Sequence, residues 1–250
     1  MRLGRVVVGQ AGVGTSARRW ESAVAKRPRP LMDVAGWEAF LHGVFAIAIT
    51  LLVLDMRVPP VESVPTADDL IAALAAELPR YTAFVLGFLY LGTYWLASHR
   101  TLRMLRGVDH WFLVQGLIFL LVISALPFSI ALLAEYIGQS EGRDQVALVI
   151  FTLWQLVLSV LAIITLRYAA SGERLLKPGV AGPDLDRWIR ISTMGPVIWI
   201  IALASALFLS GAITLVLMAL ILVLFVQEVP LSLGDEPARP QDPPGGAEPG

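Results

Sequence analysis

The sequence has no cysteine, which excludes disulfides, thiolate catalysis and sulfur-ligated metal sites. Charge is also scarce, because Asp, Glu, Lys and Arg make up only 16% of the 250 residues, whereas soluble domains have about 25%. With three histidines and few carboxylates in its apolar segments, the chain lacks the groups that an acid–base or metal-dependent enzyme needs. We therefore expect no enzymatic activity, no cofactor, no metal site and no nucleic-acid partner.

What the sequence does contain is hydrophobic residues, at 56% of the chain with a mean hydropathy of +0.71. A helix needs about 17–25 apolar residues to cross the hydrocarbon core of a bilayer. Six segments approach this length, so we predict an all-α integral membrane protein with six transmembrane helices per subunit. They are residues 37–56, 80–98, 110–134, 145–169, 188–209 and 212–228.

Basic residues are distributed unevenly among the connections. The segment before the first span and the second and fourth loops are rich in Lys and Arg, whereas the first and third loops are not. Because short cytoplasmic loops carry the excess of positive charge, both termini are predicted to be cytoplasmic, in a multi-pass protein of the inner or plasma membrane. Residues 1–34 are predicted to be a disordered basic arm, 35–229 the six-helix transmembrane domain, and 230–250 a disordered acidic tail rich in Pro and Gly.

The first span, WEAFLHGVFAIAITLLVLD, places one stripe of residues at spacings of three and four. Beside this stripe, Ala46 and Ala48 are small enough to allow close helix approach. The stripe is either a packing seam between helices or a face that lines a pathway. Its members are Phe40, Gly43, Ile47, Thr50, Leu51 and Leu54.

Two histidines lie near helix ends at the same predicted depth. His42 points about 140° away from the stripe and so faces neighbouring helices, while Trp95 and His99 share a face of the second span. These three side chains can form a polar cluster that gains charge on acidification. The alternatives are a neutral His42 satisfied by a neighbour's polar group or by interfacial water, and an ordinary interfacial-anchor role for Tyr94 and Trp95. Asp55 is either a solvated boundary residue or part of an acidic ring at a pore mouth.

The first two spans resemble those of the transmembrane protein 175 family, the endolysosomal potassium channels and their prokaryotic homologues. The family signature Arg-x-x-x-Phe-Ser-Asp corresponds to GWEAFLH, residues 36–42, and its Tyr-Trp-x-x-His-His ending corresponds to YWLASH, residues 94–99. The signature arginine, serine and aspartate are replaced by Gly36, Leu41 and His42. The chain therefore resembles a divergent member without the fixed charge pair.

The resemblance implies a homotetramer of six-helix subunits whose pore is lined by the first helix. By position, Ile47 is the hydrophobic constriction, with Leu51 and Leu54 as further apolar layers, and Thr50 is the hydroxyl position linked to potassium preference. The predicted function is a potassium-preferring cation channel, with potassium ions, the lipid bilayer and further copies of the chain as partners. The alternatives are a non-conducting membrane scaffold or partner subunit and, ranked last, a small-solute carrier.

Overall fold

The computed structural model describes residues 32–137, 142–171, 174–180, 182–209 and 211–228, and these ranges are helical with no strand among them. The predicted basic arm and acidic tail lie almost wholly outside them. Two 3-10 turns, Leu52–Asp55 and Val61–Ser63, follow the first helix. The helices are α1 Val34–Leu51, α2 Ala67–Ala76, α3 Leu78–Arg103, α4 His110–Ser124, α5 Leu126–Tyr136, α6 Arg143–Ala170, α7 Pro183–Phe208 and α8 Gly211–Glu228.

The structure accounts for four or five of the predicted six spans. Within the described ranges, four segments are long and apolar enough, and a fifth is added if the bent α2–α3 pair counts as one span. The apolar part described for α8, Ile213–Val223, is too short to meet the same criterion. The structure thus supports an all-α protein with four or five spans, which are α1 with its 3-10 turn, α2–α3, α4–α5, α6 and α7.

Helix α1 buries one face and exposes the other. The buried face consists of Leu41, Phe45, Ala48 and Leu52, which recur at the three- and four-residue spacing of one helical stripe. This face packs against α3, α4 and α5. The α-helix ends at Leu51 and continues as a 3-10 turn to Asp55, so the single α-helix predicted over residues 37–56 was too long.

Helix α2 begins with a capping box. The backbone amide of Asp69 donates to the Thr66 hydroxyl, and the Asp69 carboxylate accepts from the Thr66 amide at 3.1 Å. Pro79 lies in the first turn of α3, where its missing amide hydrogen costs nothing. The two helices meet at 47°, so α2 leads through Pro79 into the second span at an angle.

Proline also breaks the third span. Helix α4 ends at Ser124, and Pro127 occupies the first turn of α5, because a proline cannot donate the amide that would continue α4. Pro196 lies inside α7 without ending that helix.

Backbone hydrogen bonds join three segments at one end of the bundle. Met32 pairs with Val108 in both directions, at 2.7 and 3.0 Å, and the Arg106 amide donates to the Leu175 carbonyl at 2.9 Å. The segment before α1, the α3–α4 loop and the α6–α7 loop therefore meet. Among the described residues, the two loops carry Arg106, Arg174 and Lys177, so their positive charge lies at one end of the bundle, as the loop pattern predicts.

A buried carboxylate holds this end together. Asp109 is 2% exposed and caps α4 by accepting from the Phe112 amide at 3.0 Å. The Tyr168 hydroxyl donates to it at 2.7 Å, and the Arg174 guanidinium forms an ion pair with it. Burial alone would raise the pKa of Asp109, but the Phe112 amide, the Tyr168 hydroxyl and Arg174 together hold that pKa below its ordinary value.

Close packing between α1 and α4 depends on Gly116. A methyl group at this position would overlap the indole ring of Trp37. We expect Gly116→Ala to lower the free energy of unfolding by about 1–2 kcal/mol, because overpacking outweighs the gain in helix propensity. In thermal unfolding in detergent, Gly92→Ala serves as the control, because no atom lies within 4 Å of its added carbon. A stability for Gly116→Ala that equals the control's would contradict the packing argument.

Candidate functional site

The predicted stripe of α1 is the exposed face of the helix. Ile47 is 62% exposed, Leu51 41% and Leu54 74%. In the first span, Val34–Asp55, 22% of the apolar segment is buried. The corresponding share is 28% for α7 and 44% for α4–α5 and for α6. Among the residues that the structure describes, none covers this face, which leaves it available to lipid or to another copy of the protein. Leu54 shares the face although it lies in the 3-10 turn.

Thr50 lies on this face with a defined hydroxyl orientation. Its Oγ1 donates to the Ile47 carbonyl at 2.9 Å, within the helix. Because the hydrogen is used in this way, the exposed oxygen retains lone pairs that can be offered to a cation.

The end of the stripe lies beside a group of ion pairs that sequence reasoning missed. Asp55 is partly buried at the last position of the 3-10 turn. Nearby, Arg80 pairs with both Glu77 and Glu135, and Arg57 lies 3.7 Å from Glu135. The sequence shows the Glu77–Arg80 spacing of one helical turn, but Glu135 is contributed by α5 through tertiary packing.

On the opposite side of α1, the structure brings together the three residues of the predicted polar cluster. The ring centroids of His42 and Trp95 are 5.7 Å apart, and those of His42 and His99 are 5.8 Å apart. Trp95 stacks on His99 at 5.6 Å with an interplanar angle of 13°. The face of α1 that carries His42 therefore contacts α3 and is separate from the exposed stripe.

The cluster has a fourth member, Glu38, that sequence analysis did not include. Its Oε1 lies 3.0 Å from Nδ1 of His99 and 3.9 Å from Nε2 of His42. The available signal was local, because Glu38 precedes His42 by four residues and so lies on the same face of α1. The link to His99 spans 61 positions and needed the packing of α1 on α3.

Comparisons with known proteins agree with this architecture. A family model described as Endosomal/lysosomal potassium channel TMEM175 matches residues 37–127. A potassium channel of Chamaesiphon minutus is 33% identical over 167 residues, which cover 67% of this chain and 81% of that one. A potassium channel of Streptomyces collinus is 39% identical over 112 residues, which cover 45% of this chain and 53% of that one. The human endosomal/lysosomal proton channel TMEM175 is 33% identical over 97 residues, which cover 37% of this chain and 19% of that one.

A solved structure extends the likeness to the fold. The crystal structure of a lysosomal potassium-selective channel TMEM175 homolog from Chamaesiphon minutus superposes with a TM-score of 0.69 at 26% identity, covering 78% of this chain and 97% of that one. The family is one of ion channels and not of enzymes. The four or five helices of this chain that are long and apolar enough to cross a bilayer support a multi-pass membrane protein. The chain therefore belongs to the TMEM175 family of multi-pass membrane channel proteins.

Proposed function

We propose that this protein is a potassium-preferring cation channel, with four copies of α1 lining the pore. The observation that carries the proposal is the exposed stripe on α1, which includes Ile47, Leu51 and Leu54. In four copies around an axis these side chains would form apolar rings. An apolar constriction excludes water when it is narrow and conducts when it widens. The relatives named as potassium channels support the choice of ion.

The composition of the stripe favours a pore or interface over a lipid-facing surface. Gly43, Ala46 and Thr50 are exposed beside Ile47, and small residues let neighbouring helices approach closely. A lipid-facing helix gains nothing from such residues, because lipid chains fill any gap. Fourfold repetition of α1 would place its small and polar residues against other copies and its apolar rings around an axis.

The topology of the proposed channel follows the distribution of charge. We infer six crossings per subunit, with α8 as the last, and cytoplasmic termini at the basic end of the bundle, in the inner or plasma membrane. Asp55 is proposed to form a ring at the mouth of the pore opposite the basic end.

Thr50 is proposed to provide the potassium preference. Thr50→Ala removes an oxygen that substitutes for part of the hydration shell of the ion, a loss worth about 0.5–1 kcal/mol. We expect the potassium-to-sodium permeability ratio to fall by about two- to fivefold, measured as reversal potentials in planar bilayers. Thr50→Ser keeps the hydroxyl and is the matched control. If Ala and Ser variants give the same ratio, the hydroxyl does not select the ion.

Two measurements on the full chain test the proposal itself. The mass of the detergent-solubilised protein should correspond to four copies of the 27.1-kDa chain. Proteoliposomes with a potassium gradient should then show potassium flux greater than sodium flux. A proton-sensitive dye should be included, because the human relative is named as a proton channel. A folded tetramer that passes no ion in either gradient would favour the alternative, a non-conducting scaffold or partner subunit.

A further inference from the structure

The cluster between α1 and α3 has the donor set of a transition-metal site. Glu38 and His42 are one turn apart on α1, and His99 faces them from α3. One ligand atom from each of the three residues can be chosen so that all lie within 4.8 Å of one another. In tetrahedral zinc sites, with ligand bonds of about 2.0–2.2 Å, neighbouring ligand atoms are about 3.3 Å apart. The two distances to Glu38 Oε1, 3.0 and 3.9 Å, lie on either side of that value.

The partners of these side chains leave room for a cation. Nε2 of His42 is buried from solvent and has no hydrogen-bond partner among the described residues, although it lies 3.9 Å from Oε1 of Glu38. An unpaired buried nitrogen is costly, and a metal ion between it and the carboxylate would pair both groups. His99 would ligate through Nδ1 by moving its proton to Nε2, so that no net charge change is needed on the ring.

Rigid surroundings hold the donors in position. Trp95 stacks on the His99 ring at an interplanar angle of 13° and also contacts His42, which limits rotation of both imidazoles. The three ligand side chains are 24–37% exposed, so an ion can reach the site and a water molecule can complete its coordination. Two imidazoles and one carboxylate favour Zn²⁺, Co²⁺ or Ni²⁺ over Mg²⁺ and Ca²⁺, which prefer oxygen ligands.

We propose that Glu38, His42 and His99 form a binding site for a zinc-class divalent cation that links α1 to α3. The ion would fix the first turns of α1 against the neighbouring helix, on the side opposite the exposed stripe. This site does not depend on conduction, because ligation needs only the contact between α1 and α3 within one chain.

The test uses the full chain in detergent at pH 7.5 in a buffer that does not bind metals. Calorimetric titration with Zn²⁺ should give one site per chain, and Co²⁺ should give the visible bands of tetrahedral coordination. A Zn²⁺ concentration of 100 times Kd should raise the unfolding midpoint by about 5–10 °C. His42→Ala and His99→Gln should each weaken Zn²⁺ binding by at least about 100-fold, and Mg²⁺ should neither bind nor stabilise.

The sequence offers a matched control, because the chain has no cysteine and only one other histidine. His110 is exposed at the start of α4, outside the cluster, so His110→Ala should bind Zn²⁺ as the wild type does. Each variant must elute from size exclusion as the wild type does, and Glu38→Gln provides an independent substitution that preserves size. Equal Zn²⁺ affinity in wild type and all three cluster variants would overturn the proposal, as would loss of binding only in His110→Ala.

Discussion

Replacing Ile47 with asparagine is expected to increase potassium flux in proteoliposomes by about 10- to 100-fold. In a tetramer, the substitution would place four amides in the proposed constriction at once. Amides hydrogen-bond to water, so they would remove the barrier that an apolar ring imposes through dewetting. Lowering this barrier by about 1.4–2.8 kcal/mol gives the stated increase, since each 1.36 kcal/mol is worth a factor of ten in rate.

The control for this experiment is Ile200→Asn on α7. Ile200 is 55% exposed and Ile47 is 62% exposed, so both variants put the same amide on an exposed helical face. Only the change on α1 should alter flux if that helix lines the pore. Unchanged flux in Ile47→Asn, from protein of the same oligomeric mass, would rule out Ile47 as the constriction. An equal rise in both variants would indicate leakage through damaged membranes.

Features repeated along one helix could be predicted from the sequence. The spacing of Ile47, Leu51 and Leu54 predicted one shared face, and the structure exposes all three. The composition of the apolar segments likewise predicted an all-helical membrane protein, as the structure shows. These predictions succeed because helical periodicity and bilayer thickness act locally, within about twenty residues.

The end of the first helix was not predictable in the same way. Residues Leu52–Asp55 have the composition of a continuing α-helix, yet they form a 3-10 turn before Pro59 and Pro60. Helix ends commonly tighten into 3-10 geometry, and assignment there shifts by one or two residues. The count of six crossings had a similar weakness, because it relied on α8, whose described apolar part is only Ile213–Val223.

Contacts between distant segments account for most of what sequence reasoning missed. The Glu38–His99 contact joins residues 61 positions apart, and Arg174 reaches Asp109 across 65 positions. Nothing in the local sequence indicates that these side chains meet, because the contacts depend on which helices pack side by side in the folded protein. The histidine–tryptophan cluster was an exception, since equal predicted depth in the bilayer already restricted where its members could lie.

Asp109→Ala is expected to have the largest effect on stability, lowering the free energy of unfolding by about 3 kcal/mol. The substitution removes the cap of α4, worth about 1 kcal/mol, and leaves the Tyr168 hydroxyl and the Arg174 guanidinium without their shared partner. Arg174 is 37% exposed and can turn toward water. The loss in free energy of unfolding is therefore near the lower end of the range for a buried ion pair that loses one partner. Thermal unfolding in detergent should show a midpoint about 6–12 °C lower.

Asp68→Ala is the control, because Asp68 is exposed in the first turn of α2, where substitutions change stability by about 0.5 kcal/mol or less.

The Asp109 carboxylate also predicts a pH dependence of stability. Because the pKa of Asp109 is lowered in the folded state, its stabilisation is present above the ordinary pKa of 3.8 and is lost as pH falls through the folded value. Wild type should therefore exceed Asp109→Asn in midpoint at pH 7 and approach it below pH 3.8. A constant difference from pH 7 to pH 3 would mean that the Asp109 charge does not stabilise this end of the bundle.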